Sequence, residues 1–159
     1  MAEFTRFEIF MLLNQAKPLW LSHIDLSGMD LRGVDLMRAT LHGANLKGVD
    51  LRGAAMGEAN LGGANLEGAI LIGADLHRAM LRGANLRNAD LREAILAEAD
   101  LVEADLSGCN MMDANMGGVD LTRVILDRAN LSGAQIPDYK VQRAKSLVGC
   151  ILPDGTIHE

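Results

Sequence analysis

Aromatic side chains are scarce in this chain. Phe, Trp and Tyr make up 3% of its 159 residues, although 49% of the residues are hydrophobic. A globular core of this size ordinarily takes much of its bulk from aromatic rings. The interior must therefore be assembled from many small, similar pieces. Leu and Ala dominate the hydrophobic residues, and 17 glycines accompany them.

Cysteine is nearly absent, and positive charge is in the minority. The 2 cysteines, Cys109 and Cys150, are too few for a disulfide framework, and each is expected to be a buried thiol. The net charge of −6 argues against direct nucleic-acid binding, which needs a basic face. It is compatible with an acidic surface that meets a basic protein.

Long hydrophobic runs are also missing. No apolar stretch approaches the roughly 20 residues that cross a bilayer as a helix. Near the N-terminus, Glu3 and Glu8 interrupt the apolar residues, and no small-residue cleavage site follows them. We therefore expect no membrane association, no secretory signal and a cytoplasmic location.

The dominant pattern is a five-residue repeat. Of the 23 positions spaced five apart from Leu26 to Ile136, 19 are Leu. Two residues before these centres, 16 positions are Ala, and the residue between is Asp or Asn in 16 units. Gly stands two residues after the centre in 12 units. With the central residue called i, the unit is Ala-(Asp/Asn)-Leu-x-Gly, as in residues 44–48.

This period fits neither a helix nor a plain strand. On an α-helix, positions five apart are separated by about 140°, so no apolar stripe forms. In a strand, the odd step moves the apolar residues to the opposite face. The consistent solution bends the chain after every unit, with a turn at i+1 and i+2 and with Gly where φ has to be unusual.

The tandem units resemble the signature of the pentapeptide-repeat family, and the resemblance covers all 23 units. It implies an all-β solenoid, a right-handed quadrilateral β-helix with four units per coil and hence about 5–6 coils. Residues 20 apart would then stack in columns, with the Leu at i and the Ala at i−2 pointing inward. The ending at residues 152–156, Leu-Pro-Asp-Gly-Thr, also resembles a tail of small cyanobacterial-type members.

Three segments are predicted: an N-terminal helical cap over residues 1–20, the solenoid over 21–138, and a C-terminal helix and strand cap over 139–159. Residues 2–15 are predicted to form an amphipathic helix. Its apolar face would carry Phe4, Phe7, Ile9, Met11 and Leu12. Residues 138–144 are predicted as a short helix and 146–152 as a last strand. Such caps protect the open β edges of a solenoid from aggregation.

Apolar residues replace the polar residue at i−1 in five units. These are Ala55, Ile70, Met80, Ile95 and Ile125. The predicted columns place Ile70, Ile72 and Met112 on one face with Arg52 and Arg92, and we predict this face as the candidate partner surface. The alternative is that they are ordinary, isolated apolar side chains.

Charges segregate along the chain. From Glu93 to Asp120 there are seven acids and no Lys or Arg. Glu93, Glu98 and Glu103 occupy i+2 in three successive units, and with Asp113 they form a candidate acidic belt that recognises a basic partner. Three arginines occupy i+1 just before them: Arg82, Arg87 and Arg92. The alternative is that the two belts neutralise each other between coils.

One further column alternates in sign. It contains Arg38, Glu58, Arg78 and Glu98, and it predicts a structural ladder of ion pairs. Exposed pairs of this kind contribute little to stability individually.

No catalytic, cofactor-binding or metal site is predicted. The four histidines fall in different columns, and no nucleotide-binding, hydrolase or zinc motif is present. The main hypothesis is a non-enzymatic scaffold or regulator that binds an unidentified protein, as a monomer or a weak end-to-end dimer. Several family members with acidic faces act on DNA gyrase by resembling DNA. The second hypothesis is therefore a DNA-mimicking modulator of DNA gyrase or topoisomerase.

Overall fold

The computed structural model describes residues 6–159, except for the side chains of Arg6, Phe7, Phe10 and Asp138. Helix α1 spans Arg6–Leu13, so residues 2–5 of the predicted helix lie outside the described residues. Ile9 is buried in the core, and Leu12 packs against it. Met11 was predicted on the apolar face but is 53% exposed. It lies about 200° around the helix from Ile9 and so points away from the core.

Residues 20–135 are wound with a fixed register. Parallel β-bridges join residues 20 apart throughout, from Trp20↔Thr40 to Asn115↔Gln135. Each bridge is a single residue at i−1, and turns separate successive bridges. The bridges form four walls, which we number by their first residue. We call each five-residue unit within a wall a rung. Wall 1 starts at Trp20, wall 2 at Asp25, wall 3 at Asp30 and wall 4 at Asp35.

The central leucines line the interior, as the pattern predicted. Leu46 and Leu66 occupy adjacent rungs of wall 2, and the Leu46 N–H donates to the Asn65 carbonyl at 2.7 Å. Every central residue from Leu21 to Leu131 is at most 5% exposed. The alanines at i−2 are also buried, and no buried side chain in the described part of the chain is polar or charged. The core is therefore a continuous column of aliphatic side chains.

Each corner is a tight turn with a left-handed residue. All 22 of the i+2 positions from Gly28 to Gly133 have positive φ, although ten of them are not glycine. The residue after each such position donates its N–H back to the central residue, as in Ala44 N–H to the Leu41 carbonyl at 3.0 Å. This is the pattern of a type II turn. The prediction that Gly marks an unusual φ is confirmed. The fold imposes the same φ on the non-glycine residues at this position.

The Asp and Asn residues at i−1 stabilise these corners. Their Oδ1 atom accepts the backbone N–H of residue i+1, as Asn60 does from Gly62 at 3.1 Å and Asp100 from Val102 at 3.1 Å. Such Asx turns satisfy an N–H that the bridges leave free. Most of the carboxylates in the repeat therefore have a structural function.

The C-terminal segment differs from its prediction. Helix α2 spans Asp138–Val141, and the single strand predicted over residues 146–152 is wrong. The repeat resumes instead, with bridges Ile125↔Ser146 and Asn130↔Ile151, now 21 residues apart. Residues 147–150 form another corner, in which Gly149 has φ +68. The chain ends in an antiparallel bridge, Ile151↔Ile157.

The cysteines agree with a further expectation. Cys109 and Cys150 are both free and buried. Burial raises the pKa of the Cys109 thiol to about 12 and that of Cys150 to about 11. Neither helix in the described part of the chain is long and apolar enough to cross a membrane.

Candidate functional site

The candidate partner surface lies along wall 3. Arg52, Ile72, Arg92 and Met112 occupy the i+1 position of four successive rungs. Backbone hydrogen bonds of 2.9–3.0 Å join each rung to the next: Gly53 to Ile72, Gly73 to Arg92, and Glu93 to Met112. The structure therefore brings the predicted residues together.

Ile70 and Ile72 form an apolar rung between two charged ones. Ile70 is bridged to Asp50 on one side and to Asp90 on the other. On those flanking rungs, Asp50 binds Arg52 at 2.5 Å and Asp90 binds Arg92 at 2.8 Å. Asp30 and Arg32 form the same pair one rung before Asp50, at 2.6 Å. Three rungs of wall 3 thus carry Asp-Leu-Arg, and the isoleucine rung, which lies between two of them, has neither charged group.

This replacement removes a hydrogen bond from the corner. Asp50 and Asp90 accept the N–H of Arg52 and Arg92, but Ile70 offers no acceptor to Ile72. In the described part of the chain, the Ile72 N–H has neither a side-chain nor a backbone acceptor. A hydrogen bond of this kind contributes about 0.5–1.5 kcal/mol. Ile70 is therefore unfavourable for the corner, as are the other apolar residues at i−1, namely Ala55, Met80, Ile95 and Ile125.

The Asp-Arg rungs make the stability of the chain depend on acid pH. Hydrogen bonds from Arg32 lower the pKa of Asp30 to about 2, and Arg52 and Arg92 lower the pKa of Asp50 and Asp90. A carboxyl whose pKa is lower when folded stabilises the fold above its unfolded pKa, and this contribution disappears as pH falls through the folded value. The stabilisation is therefore present at neutral pH and is lost on acidification.

We predict that the free energy of unfolding falls between about pH 4 and pH 2 as these carboxyls take up protons. The triple variant Asp30→Asn, Asp50→Asn and Asp90→Asn is expected to show a shallower fall, because amides do not titrate. Urea unfolding at a series of pH values measures the difference. Equal acid sensitivity of the variant and the parent would contradict the role of these rungs.

The candidate acidic belt divides into two parts. Glu98 binds Arg78 at 2.8 Å, and Glu103 binds Arg123 at 2.9 Å. Glu93 and Asp113 form no ion pair in the described part of the chain. These two residues stack on adjacent rungs at i+2, at the corner between walls 3 and 4. The acidic belt therefore runs around three corners, and its two unpaired carboxylates border the partner surface.

The arginines at i+1 that precede the acidic belt also bind carboxylates. Arg82 lies 3.7 Å from Glu103 and Arg87 lies 3.2 Å from Asp105, each in the next coil. In the alternating column, Arg38 binds Glu58 at 2.9 Å. Side chains thus reach diagonally between coils, as the neutralisation alternative describes.

Some features of the surface were not evident from the sequence. A cleft of about 480 Å³ lies between the end of α1 and the first coil, with Leu13, Leu31 and Val34 among its lining residues. The rings of His23 and His42 are in edge contact, with centroids 5.6 Å apart, although they belong to different columns. Within residues 6–159, no group of three or more His, Cys, Asp or Glu side chains could hold a metal ion.

Comparison with known proteins identifies the family. The family profile described as Pentapeptide repeats matches as eight copies, over residues 21–53, 50–88, 59–97, 89–128 and 113–136. The chain therefore belongs to the pentapeptide-repeat family. No curated protein sequence matches it significantly.

Solved structures of the same family are similar to this chain. The pentapeptide repeat protein alr5209 from Nostoc PCC 7120 is 33% identical, with 70% of this chain and 84% of that chain covered and a TM-score of 0.51. HetL, involved in heterocyst differentiation regulation in Nostoc sp. strain PCC 7120, is 33% identical, with coverages of 88% and 77% and a TM-score of 0.37. A protein from the Arabidopsis thaliana thylakoid lumen is 28% identical, with coverages of 75% and 69% and a TM-score of 0.43.

Proposed function

We propose that this chain is a non-enzymatic interaction module, which binds a protein partner through wall 3. Its framework is a right-handed quadrilateral β-helix of 5–6 coils, closed by α1 at one end and by α2 with the resumed repeat at the other. The partner surface consists of Ile70, Ile72 and Met112 with the neighbouring Arg52 and Arg92. The proposed compartment is the cytoplasm, where two free, buried thiols would remain reduced.

The observation that carries this proposal is the isoleucine rung. Three other rungs of wall 3 carry a bound Asp-Arg pair, at residues 30, 50 and 90. The rung at 70 instead places two half-buried isoleucines on the surface and gives up a corner hydrogen bond. A sequence that departs from a favourable local pattern commonly does so at a functional site. An apolar centre beside arginines is also typical of protein interfaces.

We predict that the double variant Ile70→Asn and Ile72→Arg folds but loses its partner. Asn at position 70 would accept the N–H of residue 72, as Asn110 accepts that of Met112 at 3.3 Å. The free energy of unfolding is therefore expected to rise by about 0.5–1.5 kcal/mol. Affinity capture from native lysate with the tagged full chain, run beside thermal unfolding, measures both effects.

Met80→Asn is the matched control for this variant. It makes the same apolar-to-Asn change at i−1 on wall 1, opposite wall 3, where Met80 is 46% exposed. The stoichiometric partner is expected to be retained by the control and lost by the double variant. Retention by both variants would overturn the proposed surface.

The paired charges favour this function over a gyrase modulator. A surface that imitates DNA needs an extended run of uncompensated negative charge. Two of the four acids in the belt, Glu98 and Glu103, are held by arginines of the same surface. An effect of micromolar protein on gyrase supercoiling would restore the second hypothesis.

A further inference from the structure

We propose that the corner between walls 3 and 4 binds an amphipathic α-helix whose apolar stripe is flanked by Lys or Arg. This inference rests on the proposed interaction function and specifies the chemistry of the partner. It uses four side chains: Ile72 and Met112, which are apolar, and the carboxylates of Glu93 and Asp113, which we call the carboxylate pair.

The carboxylate pair is the source of excess negative charge at this corner, because neither carboxylate forms an ion pair in the described part of the chain. Glu93 and Asp113 lie on successive rungs, about 4.8 Å apart along the solenoid axis. Arg92 is adjacent in sequence and is attracted to Glu93, but its guanidinium is bound to Asp90 at 2.8 Å. Arg52 is likewise neutralised by Asp50 at 2.5 Å. The net charge of the surface is therefore negative, which favours a cationic partner.

The pair also occupies positions that the repeat gives to glycine. Glu93 and Asp113 both have φ of 58, in the left-handed region. The remaining i+2 positions of this column are all glycine: Gly33, Gly53, Gly73 and Gly133. A non-glycine residue there costs about 1 kcal/mol or more of backbone strain. Glu93 and Asp113 therefore occupy this corner at a cost in backbone strain.

The apolar side chains lie immediately beside the carboxylates. Ile72 and Met112 occupy the i+1 column two rungs apart, and Met112 is 37% exposed. Between them lies Arg92, whose guanidinium is drawn onto Asp90, so that its aliphatic stem completes the apolar strip. Each carboxylate stands one residue after a side chain of this column: Glu93 follows Arg92, and Asp113 follows Met112. A strip of apolar contacts therefore runs along the axis with negative charge on one side.

The spacing favours a helix over a strand as the occupant. Two rungs span about 9.6 Å. Residues i and i+7 of an α-helix are about 10.5 Å apart on the same face, which matches the separation of Ile72 and Met112 to about 1 Å. An extended strand repeats its face every 6.8 Å or so, and its same-face side chains therefore cannot reach both positions. A helix parallel to the solenoid axis can therefore contact both apolar residues while its flanking cations reach the carboxylate pair.

Two synthetic helical peptides test this inference. Both carry leucines at i, i+4, i+7 and i+11, and the flanking positions are Lys in one peptide and Glu in the other. Fluorescence anisotropy titration against the full chain is expected to show binding of the Lys peptide at least about tenfold tighter than the Glu peptide. The variant Glu93→Gln with Asp113→Asn is expected to reduce this ratio to about twofold or less.

The control is the double variant Glu98→Gln with Glu103→Gln. It also removes two negative charges from the acidic belt, but it takes them from carboxylates that arginines already bind. The preference for Lys is expected to persist in this control. Equal losses in the two double variants would indicate general attraction to an acidic protein and overturn the proposal, as would equal binding of both peptides or no binding of the Lys peptide.

The two proposals can fail separately. If the Ile70→Asn and Ile72→Arg variant loses its captured partner but the Lys peptide shows no preference, wall 3 is a binding surface for a partner of other chemistry. If the peptide preference holds while the captured partner is retained by that variant, the corner binds cationic helices but does not bind that partner.

Discussion

Replacement of Leu66 with alanine is expected to lower the free energy of unfolding by about 2–5 kcal/mol. Leu66 is 1% exposed and lies in the interior of wall 2, between Leu46 and Leu86. Its rung is fixed on both sides, because its N–H donates to Asn85 and the Leu46 N–H donates to Asn65, both at 2.7 Å. The rungs cannot close on the cavity that alanine would leave. Urea unfolding followed by circular dichroism measures the loss.

Leu66→Met is the matched control for this truncation. Met56, Met111 and Met116 already occupy the same inward position, each 0% exposed. The methionine variant is therefore expected to lose less than about 1.5 kcal/mol. If Leu66→Ala lost as little, the rungs would be able to collapse inward, and the bridges would not act as a rigid spacing device.

The inside and outside of the solenoid could be predicted from the sequence because the period is strict. A repeat of five that fits neither a helix nor a strand requires a bend in every unit, and its inward residues follow from hydrophobicity alone. The coil of four units does not follow from that period. It came from the family resemblance, and the bridges between residues 20 apart bear it out. The assignment of columns, and hence of Ile72 to Met112, depended on that resemblance.

The C-terminal register could not be predicted in the same way. Helix α2 inserts residues that shift the repeat by one, so that Ser146 bridges to Ile125. A count at fixed multiples of five ends at Ile136 and misses the units around Leu147 and Leu152. The signal was present in the run Ser146 to Gly149, which has the spacing of a unit in a shifted phase.

The columns of residues 20 apart also could not predict which charged side chains form ion pairs. Columns specify where backbones stack, but arginine and glutamate side chains are long enough to reach neighbouring columns. Arg82 thus contacts Glu103, 21 positions on, and Arg87 contacts Asp105, 18 positions on. Only the side-chain geometry separates Glu93 and Asp113 from the paired members of the acidic belt. The sequence identified the acids, and the structure distinguished their environments.

The second large change in the free energy of unfolding is expected at the corners, because each corner requires a residue with left-handed φ. Gly48→Pro is expected to abolish the native fold or to lower the free energy of unfolding by about 3 kcal/mol or more. Gly48 has φ +64, whereas proline is restricted to about −65°. Its N–H also donates to the Glu67 carbonyl at 2.8 Å, and proline removes that bond between rungs. Circular dichroism and thermal unfolding measure the effect.

Lys47→Pro, one residue earlier, is the matched control. Position i+1 of a type II turn accommodates proline, and the Lys47 N–H is accepted only by the side chain of Asn45, at 3.3 Å. The ion pair from Lys47 to Glu67, at 3.2 Å, is exposed and contributes little. This variant is therefore expected to stay within about 1 kcal/mol of the parent. Similar damage from the two prolines would mean that loss of flexibility, and not the left-handed φ with its rung hydrogen bond, governs the corner.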